Sequence, residues 1–180
     1  AVVLDWLEDA VLAGEVNDVR FRFLGDLSKF PYATAEEGEF SVVVPFEKGA
    51  LAFAPGWPQL EDLSGELVFD GISMFSTRNE GSIAGTVFSN INAQMPDMRD
   101  GKLTVDASVS TGFPQVLRLL RESFIGNVLG PILNDVTASG DVSGVVRLYL
   151  PVNALADYRL NASLLVSDAM MSLRGIDYPV

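Results

Sequence analysis

Three stretches of this chain alternate apolar and polar residues one by one. Val19, Phe21 and Phe23 alternate with Arg20 and Arg22, and Leu103, Val105, Ala107 and Val109 alternate with Lys102, Thr104, Asp106 and Ser108. Tyr158, Leu160, Ala162, Leu164 and Val166 repeat the pattern against Arg159, Asn161, Ser163 and Ser167. Successive side chains of an extended strand point to opposite faces, so each apolar set falls on one face of a sheet. That face has to be covered by something, and a surface left uncovered is available to an apolar ligand.

Strand-like runs follow at about 19–24, 40–46, 50–54, 65–70, 72–77, 81–95, 102–110, 141–150 and 158–167. Between them stand Gly25-Asp26, Glu37-Gly38, Lys48-Gly49, Asp70-Gly71, Glu80-Gly81 and Asp100-Gly101, pairs that supply hairpin turn conformations. The expected order is therefore an antiparallel meander. Helical spacing occurs twice. Val3, Leu7, Ala10 and Val11, with Gly14 behind them, predict a helix over 1–13, and Pro114, Val116, Leu117, Leu119 and Leu120 predict a second over 114–123. Residues 124–133 are apolar but broken by Gly126, Gly130 and Pro131, and read as a loop or short turn. The run Leu63, Gly65, Leu67 and Phe69 is echoed at Val142, Gly144, Val146 and Leu148, as in a sheet that grows by addition.

A chain of 180 residues is most simply a single β-rich segment spanning 1–180, large enough to fold without disulfides or metal. Twelve basic residues against 24 acidic ones leave a formal charge of −12, which repels phosphate backbones and argues against nucleic acid as a partner. No apolar run reaches the ~18 residues of a membrane-spanning helix. With no initiating Met or basic leader, the chain reads as a soluble piece of a longer protein.

Catalytic chemistry has little to work with. Histidine and cysteine are absent, which removes the usual neutral-pH base, the thiolate nucleophile and the commonest metal ligands. Lysine occurs only at 29, 48 and 102, and no Ser-x-x-Lys spacing exists. Glu8-Asp9, Glu36-Glu37 and Glu61-Asp62 are sequence neighbours whose side chains diverge, as solvated surface acids do. Asp97 to Asp100 lacks the spacing and the distal glutamate of a calcium loop and reads as a turn, and Gly81 and Gly85 lack a phosphate loop's lysine. Asn161-Ala162-Ser163 meets the glycosylation pattern but lies inside a predicted strand. The expectation is no enzyme, no metal and no cofactor.

The predicted apolar face comprises Phe40, Val42, Val44, Leu67, Phe69, Leu103, Val105, Val109, Val146, Leu148, Leu150, Leu160 and Leu164. Composition alone favours the core of a closed sandwich or barrel. Area is the counterweight. About nine strands spaced ~4.8 Å apart make a sheet roughly 40 Å wide, and a helix is only ~10 Å across, so two short helices leave much of it bare. Gly56-Trp57-Pro58 is a tight segment between strands. Its indole, like that of Trp6, reads as a buried plug at the sheet end in preference to an exposed contact.

The segment 51–74 carries a recognisable pattern. Leu51 and Phe53, then Gly56-Trp57-Pro58, then Leu63, Gly65, Leu67, Phe69 and Met74 resemble the central signature of the YhdP branch of the AsmA-like proteins. Trp6-Leu7, Gly25-Asp26-Leu27 and Phe30-Pro31 precede it in family order. Met95-Pro96-Asp97-Met98, the 117–120 helix and Gly140 through Leu150-Pro151 follow it, so most of the chain is covered. One departure is Ser123-Phe124, where family members place Ser-Pro.

The resemblance implies a periplasmic segment of a long envelope protein anchored in the inner membrane, with an apolar groove that carries phospholipid toward the outer membrane. Its partners would be acyl chains, neighbouring segments of the same long chain and other envelope proteins. With that resemblance added to the area argument, the expected fold is mainly β. It is a curved, mostly antiparallel sheet forming an open groove or flattened barrel, with two short helices. The alternative is a structural or protein-interaction module of the envelope whose apolar core is fully closed.

Overall fold

The computed structural model describes residues 2–173, with the backbone alone for Val2 and Leu4. Helix α1 (Val2–Ala10) leads into strands β1 (Val11–Val16) and β2 (Arg20–Gly25). Strands β3 (Gly38–Leu51), β4 (Leu60–Asp70), β5 (Ser73–Ile83), β6 (Thr86–Met95) and β7 (Lys102–Gly112) follow. Helices α2 (Phe113–Glu122) and α3 (Phe124–Asp135) interrupt the meander before β8 (Val136–Pro151) and β9 (Arg159–Leu173).

The strands form a single antiparallel sheet in the order β1-β3-β4-β5-β6-β7-β8-β9, with β2 also on β3. β2 pairs with the first half of β3, Val43 back to Gly38, and β1 with its second half, Leu51 to Phe46. The sheet is open, so the closed sandwich or barrel does not form. One cross-strand rung runs Val44, Leu67, Ser76, Ala93, Val105, Leu148, Leu160 through seven strands. The opposite face is charged, with cross-strand pairs Arg20–Glu66 (2.8 Å), Arg22–Glu39 (2.8 Å) and Arg147–Asp106 (2.6 Å).

Curvature comes from a row of bulges. The register shifts between Phe46 and Gly49, Glu61 and Ser64, Ser76 and Asn79, and Ser89 and Asn92. Each shift contains one left-handed residue, Lys48, Asp62, Arg78 or Asn90, with φ of 52°, 51°, 57° and 49°. An extra residue bends and twists the strand locally, and four in neighbouring strands bend the sheet along one line. β7 and β8, in contrast, pair without interruption from Lys102–Pro151 to Gly112–Asp141.

Several expectations from sequence are corrected. The first helix ends at Ala10, and Val11 to Val16, Gly14 included, form β1 against β3; Ala1 lies outside the described residues. Lys48-Gly49 and Glu80-Gly81 lie within β3 and β5 and do not turn the chain, since the bulges absorb them. The run 50–54 is the end of β3 plus loop, and 81–95 is divided by a turn at Ala84-Gly85.

Residues 124–133 belong to helix α3 despite Pro131. Ser123 caps its start by accepting from the Ile125 amide at 3.2 Å. At the other end the Arg121 guanidinium donates to the Leu133 carbonyl at 2.8 Å and to that of Val136 at 2.6 Å. These contacts satisfy carbonyls that a helix terminus leaves without partners. Gly126 sits where a Cβ would lie 2.0 Å from the Arg121 carbonyl, so only glycine lets α3 leave α2 this sharply.

Candidate functional site: an uncharged trough

The concave face encloses a cavity of about 540 Å³. Its walls come from β1 and β3 through β9, from Trp6 and Leu7 of α1, from Val116, Leu119 and Leu120 of α2, and from Ile125 of α3. No Asp, Glu, Lys or Arg contributes, and the polar residues in the wall are Ser76, Asn79 and Thr86. The volume lies in the ~300–1,000 Å³ range of ligand pockets. This wall has far fewer polar groups than one built for a sugar or nucleotide.

Ten of the thirteen residues singled out from sequence lie in this wall: Val44, Leu67, Leu103, Val105, Val109, Val146, Leu148, Leu150, Leu160 and Leu164. Leu103, Val109 and Leu150 are buried, whereas Leu160 and Leu164, on the edge strand β9, are exposed. Phe40, Val42 and Phe69 share the face but lie outside the cavity. Phe40 packs on Phe30 (ring centroids 5.0 Å) and Phe21 (5.8 Å), Val42 pairs with Phe21 and Phe69, and Phe69 packs on the buried cluster around Met74 and Met95.

Sequence reasoning missed Phe46, Leu63, Phe88, Ile91 and the helix residues Val116, Leu119 and Leu120. Strict alternation carries through β7 and β8 but reverses at each bulge, so Phe88 and Ile91, three residues apart, face the same way. The left-handed Asn90 between them is a conformation that asparagine tolerates better than most residues.

The three wall polar residues are held differently. Asn79 donates from Nδ2 to the Ile91 carbonyl at 2.8 Å. The Ser76 hydroxyl lies 2.6 Å from the Glu66 carbonyl and 2.8 Å from Asn79 Oδ1. Asn79 occupies space that only a glycine opposite can leave, since a Cβ on Gly65 would come within 1.6 Å of its Oδ1. Among the described residues Thr86 Oγ1 has no partner, and neither do the indole nitrogens of Trp6 and Trp57.

A strap crosses the trough. The loop between β3 and β4 carries Trp57, whose ring meets Phe53 (6.1 Å) and Phe124 (5.6 Å), and Phe124 in turn meets Tyr158 (6.0 Å). The Phe124 amide donates to the Gly56 carbonyl at 2.7 Å. A proline at 124 has no amide hydrogen to give, so the Ser123-Phe124 departure supplies the donor of this tie. Trp6 is buried and Trp57 half-buried, and both pack in the cluster of Met74, Met95, Leu103 and Leu150.

A second cavity of about 570 Å³ lies beside the first and shares Trp6 with it. Asp5, Asp9 and Asn153 bring polar groups to a wall otherwise formed by Ala10, Ala52, Ala54, Pro55, Val152 and Leu155. Among the described residues no group of three or more Asp and Glu side chains is arranged to hold a metal ion, and no helix is long and apolar enough to cross a membrane.

Comparison with known proteins agrees with the geometry. The family described as YhdP protein matches residues 1–180. The intermembrane phospholipid transporter YhdP of Escherichia coli (strain K12) is 30% identical over 151 residues, 84% of this chain. The aligned region is 12% of that protein's length. No solved structure gives a significant match. The match along its whole length shows that this chain, with its open antiparallel sheet and uncharged trough, belongs to the YhdP family.

Proposed function

We propose that this chain is one segment of a lipid conduit, carrying phospholipid between inner and outer membranes without chemical catalysis. The observation that carries this reading is the charge-free aliphatic wall on one face of an open sheet. Acyl chains lie along Val105, Leu148 and their neighbours, and headgroups stay toward water at the open side. Each methylene moved from water to such a wall gains about 0.8 kcal/mol, so a lipid is retained without a covalent bond, metal or base.

The long relative and the outer edges of β9 and of β1 and β2, unpaired among the described residues, support a sheet continued by neighbouring segments of one long chain. Unpaired strand edges are templates for further strands. This reading requires a periplasmic segment of a protein anchored in the inner membrane, with other envelope proteins as further partners.

Photocrosslinkers placed at Val105 and Leu148 test the proposal, together with Val105→Glu and Leu148→Glu. A glutamate on an open wall can reach water at modest cost, whereas one in a closed core cannot. The expected result is lipid adducts at both positions and at least one glutamate variant that stays folded but loses them. If every variant unfolds and the parent chain carries no lipid, the face is an ordinary core and the conduit fails.

A further inference from the structure

We propose that the roof over the trough is a gate, and that the strap has to part from α3 at the Gly56–Phe124 contact before a phospholipid headgroup can pass from one edge of the sheet to the other. This rests on the lipid-carrying reading and adds a conformational step to it.

The mouths of the cavity carry the argument. Among the described residues, every exposed residue of its wall lies on β1 or β9, the first and last strands of the sheet order. Val11 and Val16 are each 51% exposed at one edge, and Leu160 and Leu164 are 41% and 43% exposed at the other. Between those edges the wall is buried or half-buried, because Trp6 of α1, Phe53 and Trp57 of the strap and Leu119 and Leu120 of α2 lie over the sheet. An acyl chain fits such a covered passage, but a charged headgroup does not. With no Asp, Glu, Lys or Arg in the wall, a phosphate drawn through it would lose water and gain no ionic partner. The headgroup must therefore travel outside while the tails travel inside, and the roof stands between them.

The roof has two parts from different places in the chain. The strap (52–59) joins β3 to β4, and its base is tied to α1 by the Ala52 amide, which donates to the Ala10 carbonyl at 2.8 Å. Helices α2 and α3 join β7 to β8. Among the described residues, one backbone hydrogen bond links residues 53–58 to another element, from the Phe124 amide to the Gly56 carbonyl, and the Trp57 ring against Phe124 completes the seam. Leu51 and Leu60, which flank the strap, are paired in the sheet, so the strap can lift as a unit without breaking a strand. Lifting withdraws Ala54 from the buried cluster, which makes the closed arrangement the resting one.

The chain has no cysteine, and a Cβ on Gly56 would lie 3.2 Å from that of Phe124, a few tenths below the ~3.5–4.5 Å of a disulfide. The variant Gly56→Cys/Phe124→Cys therefore locks the seam when oxidised and frees it when reduced. The two tryptophans border the trough, so quenching of their emission times the entry of two vesicle-borne probes. One is a phosphatidylcholine with brominated tails, and the other is a brominated long-chain alkane with no headgroup. Oxidation should slow phosphatidylcholine loading by about tenfold or more, leave the alkane rate unchanged and be reversed by dithiothreitol. Phe124→Ala, which weakens the seam, should load phosphatidylcholine faster than the parent chain and the alkane no faster. Equal phosphatidylcholine rates in the oxidised and reduced forms overturn the gate and leave the conduit intact, as does an alkane slowed as much as the phospholipid. If the cysteine pair does not oxidise, an unchanged phosphatidylcholine rate in Phe124→Ala overturns the gate by itself. Absence of quenching by phosphatidylcholine in the parent chain overturns the conduit and the gate together.

Discussion

The backbone amide of Phe124 donates to the carbonyl of Gly56 across the trough, at 2.7 Å. This bond joins the first residue of α3 to the loop between β3 and β4. The Phe124 ring, set between Trp57 and Tyr158, adds two edge-on contacts to the same tie.

Two substitutions separate the ring from the amide. Phe124→Ala keeps the N–H and loses both ring contacts, at a cost of about 1–2 kcal/mol in urea unfolding. Phe124→Pro loses the donor as well, at a helix position where proline is otherwise well tolerated, and should cost about 1 kcal/mol more. Equal stability of the two variants would show that the amide bond contributes nothing.

Gly65 and Asn79 form a second pair, joined by shape. Gly65→Ala drives a methyl group into Asn79 Oδ1 and should destabilise the fold by about 2 kcal/mol or more. Asn79→Ala vacates the space but leaves the Ile91 carbonyl without its donor. In a double-mutant cycle the combined variant should be more stable than the sum of the two losses predicts, by roughly 1 kcal/mol. Additive losses would mean that Asn79 moves aside freely.

The trough wall grades from core to open edge. Leu150 is 0% exposed and Leu164 43%. Leu150→Ala should therefore cost about 2–5 kcal/mol by denaturant unfolding. Leu164→Ala should cost under about 1 kcal/mol and, on the conduit reading, lower lipid crosslinking instead.

Acid should loosen the turn between β6 and β7. Hydrogen bonds from the Arg99 side chain and amide hold the Asp97 carboxyl at about 2, below its ordinary 3.8. Because the folded value is the lower one, the stabilisation is complete above pH 3.8 and is lost as pH falls toward 2. Carboxyl titration followed by NMR should place the Asp97 midpoint near 2, and Arg99→Ala should return it toward 3.8.

Most of the strand content was legible in the chain because alternation is a local property. Leu103 to Val109 and Leu160 to Val166 declare their apolar face without reference to any partner, and ten of thirteen face residues line the trough for that reason. Asp70-Gly71 and Asp100-Gly101 likewise mark their turns locally.

What the sequence could not decide was everything that depends on a distant partner. Val11 continues the helical spacing of Val3, Leu7 and Ala10, yet Val11 to Val16 become β1 because the second half of β3 offers an edge to pair with. Residues 124–135 carry two glycines and a proline, yet become α3 because Arg121 donates to the carbonyls of Leu133 and of Val136 just beyond the helix and Gly126 admits the close approach of α2. The aligned bulges at Lys48, Asp62, Arg78 and Asn90 turn a flat alternating sheet into a trough. Each bulge has little signature in its own strand. Its reversal of side-chain direction gains free energy only when the neighbouring strands bend along the same line, and that is a property of the assembled sheet.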